Sequence, residues 1–196
     1  MIRANDHLAI LSAEAPMNSP LMTDGAAFVQ LEEEFRQVFE MTVIDLPRNM
    51  LIQHTHLMTD VNVAVVVTEL SLAAARDTIR ILSWLKSNAP QSRVLVVANR
   101  VHPGSPEISR KDFESTIERK IDLLLPADPK SVAQAAKLGQ PVVEAIRGSK
   151  LSTGIISLAE IVVSSFADMA DAAPADAKIP PKKTVFASFK SMLKTK

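Results

Sequence analysis

Cysteine is missing from all 196 residues, which excludes disulfides, thiolate metal sites and a cysteine nucleophile, and fits a reducing compartment. Aromatic residues make up only 4% of the chain, so Leu, Val, Ile, Ala and Met must fill the core. Glycine occurs five times, at 25, 104, 139, 148 and 154. Long hydrophobic runs are also lacking: "VAVVV" (Val63–Val67) is far short of the roughly 20 residues that span a bilayer. The first 16 residues, "MIRANDHLAILSAEAP", contain acids and no apolar core of signal-peptide length. A cytoplasmic protein is expected. What remains, 47% apolar and 22% charged residues, is ordinary for a soluble globular chain long enough for one well-buried domain.

The net charge of zero conceals an asymmetry. All 22 acidic residues precede Ala177, whereas Lys178, Lys182, Lys183, Lys190, Lys194 and Lys196 follow without an acid among them. The body therefore carries −6 and the end of the chain +6. A basic tail on an acidic body points to an interaction appendage. Between the two, Asp171–Pro181 is rich in Ala and Pro and poor in bulky apolar residues, as a linker is. The expected organisation is an α/β domain over 1–170, a linker over 171–181 and a basic amphipathic tail over 182–196.

Apolar runs alternate with helical patterns along the body, and no internal repeat is evident. Leu8–Glu14 reads as a strand. Asp24 can cap a helix bearing Phe28, Leu31, Phe35 and Val38–Phe39. Met41–Asp45 reads as a buried strand closed by Pro47, with a short helix following near Asn49–Met58. Val61–Val67 is apolar at nearly every position, the mark of a strand covered on both faces in a parallel sheet. Ser71 opens a helix with Leu72, Ala75, Ile79, Leu82 and Leu85 at helical spacing. Arg93–Arg100 and Ile121–Pro126 read as further strands. Ser109 with Asp112 forms a capping box before "RKDFESTIERK", and Ser131–Leu138 is a helix ended by Gly139. Leu151–Met169 closes the series. This βαβα rhythm predicts an α/β fold, a mainly parallel twisted sheet flanked by helices.

Such sheets bind ligands at the carboxyl ends of their strands. The residues just beyond each run are Asp45-Leu46-Pro47-Arg48, Thr68-Glu69, Asn99-Arg100 and Pro126-Ala127-Asp128, a polar rim on an apolar scaffold. An Asp after a strand is often only a helix cap, so the ordered set is more specific than any member. Other patterns carry less. His54 and His56 in "HTH" sit at i, i+2, which points to different faces of a helix, and solvent-exposed histidines are expected. Glu32-Glu33-Glu34 suits the solvated face of its helix, and the scattered methionines suit core filling. No Ser, His and Asp arrangement has the local signature of a hydrolase. Single-stranded nucleic-acid binding would want basic residues interleaved with aromatics along a groove, and nucleic acid is not an expected partner of this acidic body.

"TVIDLPR", "VAVVVTELSLAAARDTIRIL", "VLVVANRV", "IDLLLPADPKSVAQAAKLGQPVVE" and "STGIISLAEIV" occur in that order over Leu8–Val163 or within it. Together they resemble the MinD/ParA group of P-loop ATPases, and more narrowly the CpaE/TadZ-type pilus-assembly proteins, in which "DLPR" replaces Asp-x-Pro-Pro. The resemblance implies a P-loop NTPase fold, ATP and magnesium as ligands, ATP-dependent dimerisation, and the positioning of a Flp/Tad-type pilus secretion machine at a membrane. By the same resemblance Asp45 matches the Walker B aspartate that orders magnesium through water. Asn99 matches the asparagine that reads the adenine edge, with Arg100 beside it, and Pro126 and Asp128 match the P-x-D turn lining the base pocket. Gly139-Gln140-Pro141 matches a helix-closing Gly-x-Pro.

One part of the family pattern is absent. No glycine lies in a G-x-x-x-x-G-K-[ST] loop or its variant with an extra lysine, so neither the N–H cradle nor the ammonium that holds phosphates is present. The family places that loop upstream of Leu8, and the sheet is expected to be incomplete at the N-terminus. The chain is then the C-terminal portion of a longer protein or a degenerate relative, with no ATP hydrolysis of its own. In the tail, Val185–Phe186, Phe189 and Met192–Leu193 share one helical face with lysines on the other. It is either an anchor on an anionic membrane surface, at the inner face of the membrane, or a solubilising end. Partner docking to pilus or secretion proteins, with a homodimer in view, is the leading functional expectation. The rivals are an ATPase with an unconventional phosphate loop and a structural dimerisation module.

Overall fold

The computed structural model describes residues 1–12, 18, 25–102, 104 and 107–172. Asp24, most of the 171–181 segment and the 182–196 tail lie outside the described residues. The chain divides into two compact units, Met1–Met50 and Leu51 onward.

In the first unit, β1 (Ile2–Arg3) and β2 (Ala9–Ile10) form a two-stranded antiparallel ladder with Ile2 opposite Ile10. The turn is closed by Ala4 N–H donating to Leu8 O and by Asn5 Oδ1 accepting from His7 N–H. Among the described residues of the expected Leu8–Glu14 strand, Ala9 and Ile10 are in the ladder. Helix α1 (Gly25–Val38) forms as its spacing predicts, yet it has no buried residue. Phe35 and Phe39, one turn apart, meet edge to face at 5.4 Å between ring centres.

Met41–Pro47 is not a strand. Val43 is 84% exposed and Ile44 45%. The apolar run is the right composition for a strand, but a strand exists only through ladder bonds to a neighbour, and none pairs with it among the described residues. Helix α2 (Arg48–Gln53) follows, and the boundary between the units falls within it.

The second unit holds the sheet. A 3-10 turn (Thr55–Met58) buries Leu57 and Met58. Then β3 (Val63–Thr68), α3 (Leu72–Asn88), β4 (Arg93–Val101), α4 (Arg110–Thr116), β5 (Leu123–Pro126), α5 (Pro129–Leu138), α6 (Val142–Ala145) and α7 (Lys150–Ala172) follow. The strands lie in the order β3-β4-β5, all parallel, each pair joined through a helix. This is the mixed α/β architecture with a parallel sheet between helices.

Side chains alternate across β4 and sort the layers. Val96 and Ala98 pack with Ala75 of α3 and with Phe113, Ile117 and Ile121 around α4. Val97 faces the other way, into Leu125 of β5 and Leu151, Ile155 and Leu158 of α7. The α7 backbone comes close to β5 at Gly154, where a Cβ would meet Leu125 Cδ2 at 2.7 Å. Ser152 is fully buried and gives its hydroxyl to the carbonyls of Val142 and Ile146, tying α7 to the end of α6. Helix α7 continues through Ala172, past the start of the expected linker.

Strand β3 departs from the expectation of cover on both faces. Ala64, Val66 and Thr68 are buried, whereas Val65 is 37% and Val67 61% exposed. A continuous valine run says that both faces can be covered. At the outer position of this sheet only the α3 face is.

The caps follow local chemistry. Ser71 accepts from Ala74 N–H and Ser109 from Asp112 N–H, each satisfying a donor of the first helical turn. The Asp112 carboxylate closes the second cap by accepting from the Ser109 hydroxyl at 2.6 Å. Gly139 takes the left-handed conformation, φ +61°, that stops α5.

Candidate functional site at the carboxyl ends of the strands

Strand β3 stops at Thr68, whose hydroxyl is buried and hydrogen-bonded to that of Thr78 on α3 at 2.9 Å. Strand β4 runs three residues further, and its pairing with β5 slips as it does so. Ala98 stands opposite Leu124 and Val101 opposite Pro126, so β4 advances three residues where β5 advances two. The extra residue makes a bulge, and it falls on Asn99-Arg100. Bulges redirect side chains at the rims of sheets.

Arg100 absorbs the bulge in its backbone, with φ +54° in the left-handed region that L-residues other than Asn and Asp seldom enter. Its N–H is taken up by Asn99 Oδ1 at 2.8 Å. Its guanidinium turns towards β3 and donates to Glu69 Oε1 at 3.2 Å. Beyond the bulge the ladder resumes, with Ala127 N–H donating to Val101 O at 3.0 Å. The β4 and β5 ends are thus joined on both sides of the displaced residues.

Asp128 follows at once as the N-cap of α5. Its Oδ1 accepts from Ser131 N–H at 3.0 Å, and Pro129 occupies the first helical position, where a missing N–H costs nothing. The Ser131 hydroxyl, and then the Ser131 N–H, hold the Asp128 carboxyl below its ordinary pKa, so it is an ionised acceptor. Asn99, Pro126, Ala127 and Asp128 are all half-buried. The structure therefore brings Asn99 and Arg100 together with Pro126 and Asp128 on adjacent strand ends.

A cavity of about 190 Å³ opens on the β3 side of Arg100, lined among others by Glu69, Ser71, Arg100, His102 and Glu107. Glu107 accepts from Leu72 N–H at 3.1 Å where α3 begins. Glu107 is a site residue that sequence reasoning missed, since nothing in the run around it marks a carboxylate returning to α3. Glu69 was legible as a residue beyond a strand; its pairing with Arg100 was not.

Asp45 belongs to the first unit, exposed on the irregular Met41–Pro47 stretch. Among the described residues no group of three or more His, Asp or Glu side chains could hold a metal. The sequence has no glycine-rich lysine loop to receive phosphates. A triphosphate therefore finds no glycine-rich cradle in this sequence, whereas the β4–β5 corner offers a half-buried amide and an ionised carboxylate at strand ends.

The histidine pair departs from its expected exposure. His54 is 6% exposed, and its ring meets that of His56 edge to face at 5.5 Å. The 3-10 turn that buries Leu57 and Met58 carries His54 inward with them. No described helix is long and apolar enough to cross a membrane.

No protein-family model matches the chain, and no curated protein matches it in sequence. Solved structures do match. The cell division ATPase MinD of Pyrococcus furiosus superposes with a TM-score of 0.61 at 22% identity, covering 72% of this chain and 59% of that one. The septum site-determining protein MinD of Pyrococcus horikoshii OT3, solved with Mg-ADP, gives 0.60 at 21% identity, covering 71% and 56%. The MinD cell division protein of Aquifex aeolicus gives 0.60 at 20% identity, covering 74% and 63%. The chain spans about three fifths of the length of these MinD structures. At these identities the likeness is one of fold: the chain shares, in part, the fold of these MinD structures.

Proposed function

We propose that this chain is the base-reading portion of a MinD/ParA-type nucleotide switch, in a CpaE/TadZ-like protein that positions a Flp/Tad-type pilus secretion machine. The observation that carries the nucleotide half is the bulged end of β4, where Asn99 stands beside Pro126 and Asp128 on a MinD-type fold. With Asn99 Oδ1 engaged by the Arg100 N–H, the amide offers a base its Nδ2 donor, which suits a ring-nitrogen acceptor of adenine. Ionised Asp128 keeps lone pairs beyond the one given to Ser131 N–H, and these suit the exocyclic amine. The Pro126 ring supplies an apolar wall.

The sequence has no glycine-rich lysine loop to hold phosphates, so hydrolysis is not assigned to this chain. Its action is positional: docking to pilus or secretion proteins, to a second copy, or to an anionic membrane surface through 182–196. That finer part rests on the motif resemblance and on the basic amphipathic pattern of the tail. Replacing Phe186 and Phe189 with Asp abolishes co-sedimentation with anionic vesicles on this reading; an intact chain that never sediments with them removes the membrane from it.

The nucleotide half is tested by equilibrium titration. Because the base is read and the phosphates are not, adenosine and ADP bind with affinities within about threefold of each other, magnesium changes neither, and Asn99→Ala abolishes both. Tight, magnesium-dependent ADP binding that Asp45→Ala removes would replace this reading with that of a working ATPase.

A further inference from the structure

Arg100 is grouped with Asn99 by sequence, yet the two side chains do different things. The Asn99 carboxamide folds onto the N–H of the next residue, while the Arg100 guanidinium reaches back across the sheet to the first residue after β3. Arg100 is also the residue that takes the unfavourable backbone conformation, φ +54°, which lets β4 carry one more residue than β5. Three features at one position thus converge on the shape of the bulge: the left-handed backbone, the N–H held by Asn99, and the side chain held by Glu69. None of them directs the guanidinium towards Pro126 or Asp128.

We infer that Arg100 is a positioning residue: its left-handed backbone and its ion pair with Glu69 fix the β4 bulge, and through the bulge the presentation of Asn99 at the β4–β5 corner. The ligand part of this rests on the base-reading proposal above; the bulge part stands on the unliganded chain. The Arg100 and Glu69 side chains are 74% and 55% exposed, so their attraction is modest and screened by salt. The pair acts as a bias on a bulge that the backbone already forms. It also connects the end of β3 to a site on the far side of β4, so that whatever engages Glu69 in the neighbouring cavity alters Asn99.

The test compares four variants of the full chain by amide NMR, with adenosine as the probe. Glycine enters the left-handed region without strain but carries no guanidinium, so Arg100→Gly keeps the wild-type signals of the Asn99 side-chain amide and the Ala127 backbone amide at high salt, and at low salt weakens adenosine only as far as loss of the Glu69 pair does. A β-branched residue is a clear outlier at positive φ, so Arg100→Val shifts those signals and weakens adenosine by about tenfold. Glu69→Gln weakens adenosine up to about fivefold at low salt, an exposed ion pair being worth at most about that factor. That loss vanishes near about 1 M salt, where the screening length is about 3 Å. The reversal Glu69→Arg with Arg100→Glu restores low-salt affinity. Core amides of Val96 and Phe113 serve as the folding control and stay put throughout.

Wild-type signals and wild-type affinity in Arg100→Val, or a Glu69→Gln loss that is unchanged by salt, would overturn the inference. A wild-type chain that binds no adenosine removes the base-reading proposal. The bulge claim is then decided by whether, at high salt, Arg100→Val moves the Asn99 and Ala127 signals of the unliganded chain while Arg100→Gly does not.

Discussion

Met41–Ile44 in the first unit and Leu123–Leu125 in the second are both short apolar runs that end in a proline-containing turn with an aspartate close by. The second is β5: it pairs with β4, buries Leu125 against α7, and delivers Asp128 to cap α5. The first is no strand, and Val43 and Asp45 are exposed. The helices differ in the same way. Helix α3 buries Ala75, Thr78 and Leu85, whereas α1, with a similar apolar spacing, buries nothing. Local pattern proposes an element, and partners decide whether a strand forms and whether a helix buries its apolar face. In the second unit each element meets a neighbour, and the candidate corner lies there.

The largest effect should separate the units cleanly. Phe113 is fully buried in the layer between α3, α4 and the sheet. Phe113→Ala costs about 3–5 kcal/mol and is read as a lowered midpoint in denaturant unfolding of the second unit. A loss below about 1 kcal/mol would mean that this layer is not the core.

Next comes a carboxylate that the same unit has folded in. Glu114 accepts from Ile121 N–H at 3.0 Å, from Arg110 Nε at 2.9 Å and from Lys120 Nζ at 3.0 Å. The Ile121 N–H bond first, and then Arg110 and Lys120, lower its pKa from the ordinary 4.5 to about 2. A carboxyl more acidic in the folded than in the unfolded state stabilises the fold fully above pH 4.5, and that contribution fades as pH falls from 4.5 towards 2. Glu114→Gln therefore lowers stability at pH 7 and flattens the acid limb of stability against pH over that window. An unchanged acid limb would exclude the bonded carboxylate.

These two residues show where reading the sequence succeeds and fails. Ser71, Ser109 and Gly139 were legible because a cap is settled by a few neighbouring atoms. The β3, β4 and β5 runs and their parallel order followed from apolar runs alternating with helical spacing. Glu114 was not legible, because it lies in a charged stretch whose default is a solvated face, and its burial depends on Ile121 and Lys120 further along the chain. The strand assigned to Met41–Asp45 and the double cover assigned to Val61–Val67 failed for one reason: composition does not say which neighbour is present. At the site, Asn99, Arg100, Pro126 and Asp128 were marked by their place after strands. The bulge was not, since a left-handed arginine leaves no trace in sequence.

A helix cap gives a smaller effect. Ser71→Ala removes the acceptor of Ala74 N–H and costs about 1 kcal/mol, seen as faster amide exchange over the first turn of α3. Protection that does not change would contradict the cap. The smallest expected effect sharpens the comparison from the other side. Val43→Ala, a deletion of apolar atoms that would be costly in β4, changes stability by less than about 0.5 kcal/mol because the side chain is already in solvent. A loss of about 1 kcal/mol or more would show that Val43 is buried after all.

The most direct test of the base-reading corner is an amide NMR titration of the full chain with adenosine, beside Asn99→Ala. The account predicts saturable shifts centred on Asn99, Arg100, Ala127 and Asp128, with none at Val43–Leu46, and their loss in the variant. Shifts centred on Val43–Leu46, or an undiminished response in Asn99→Ala, would contradict it.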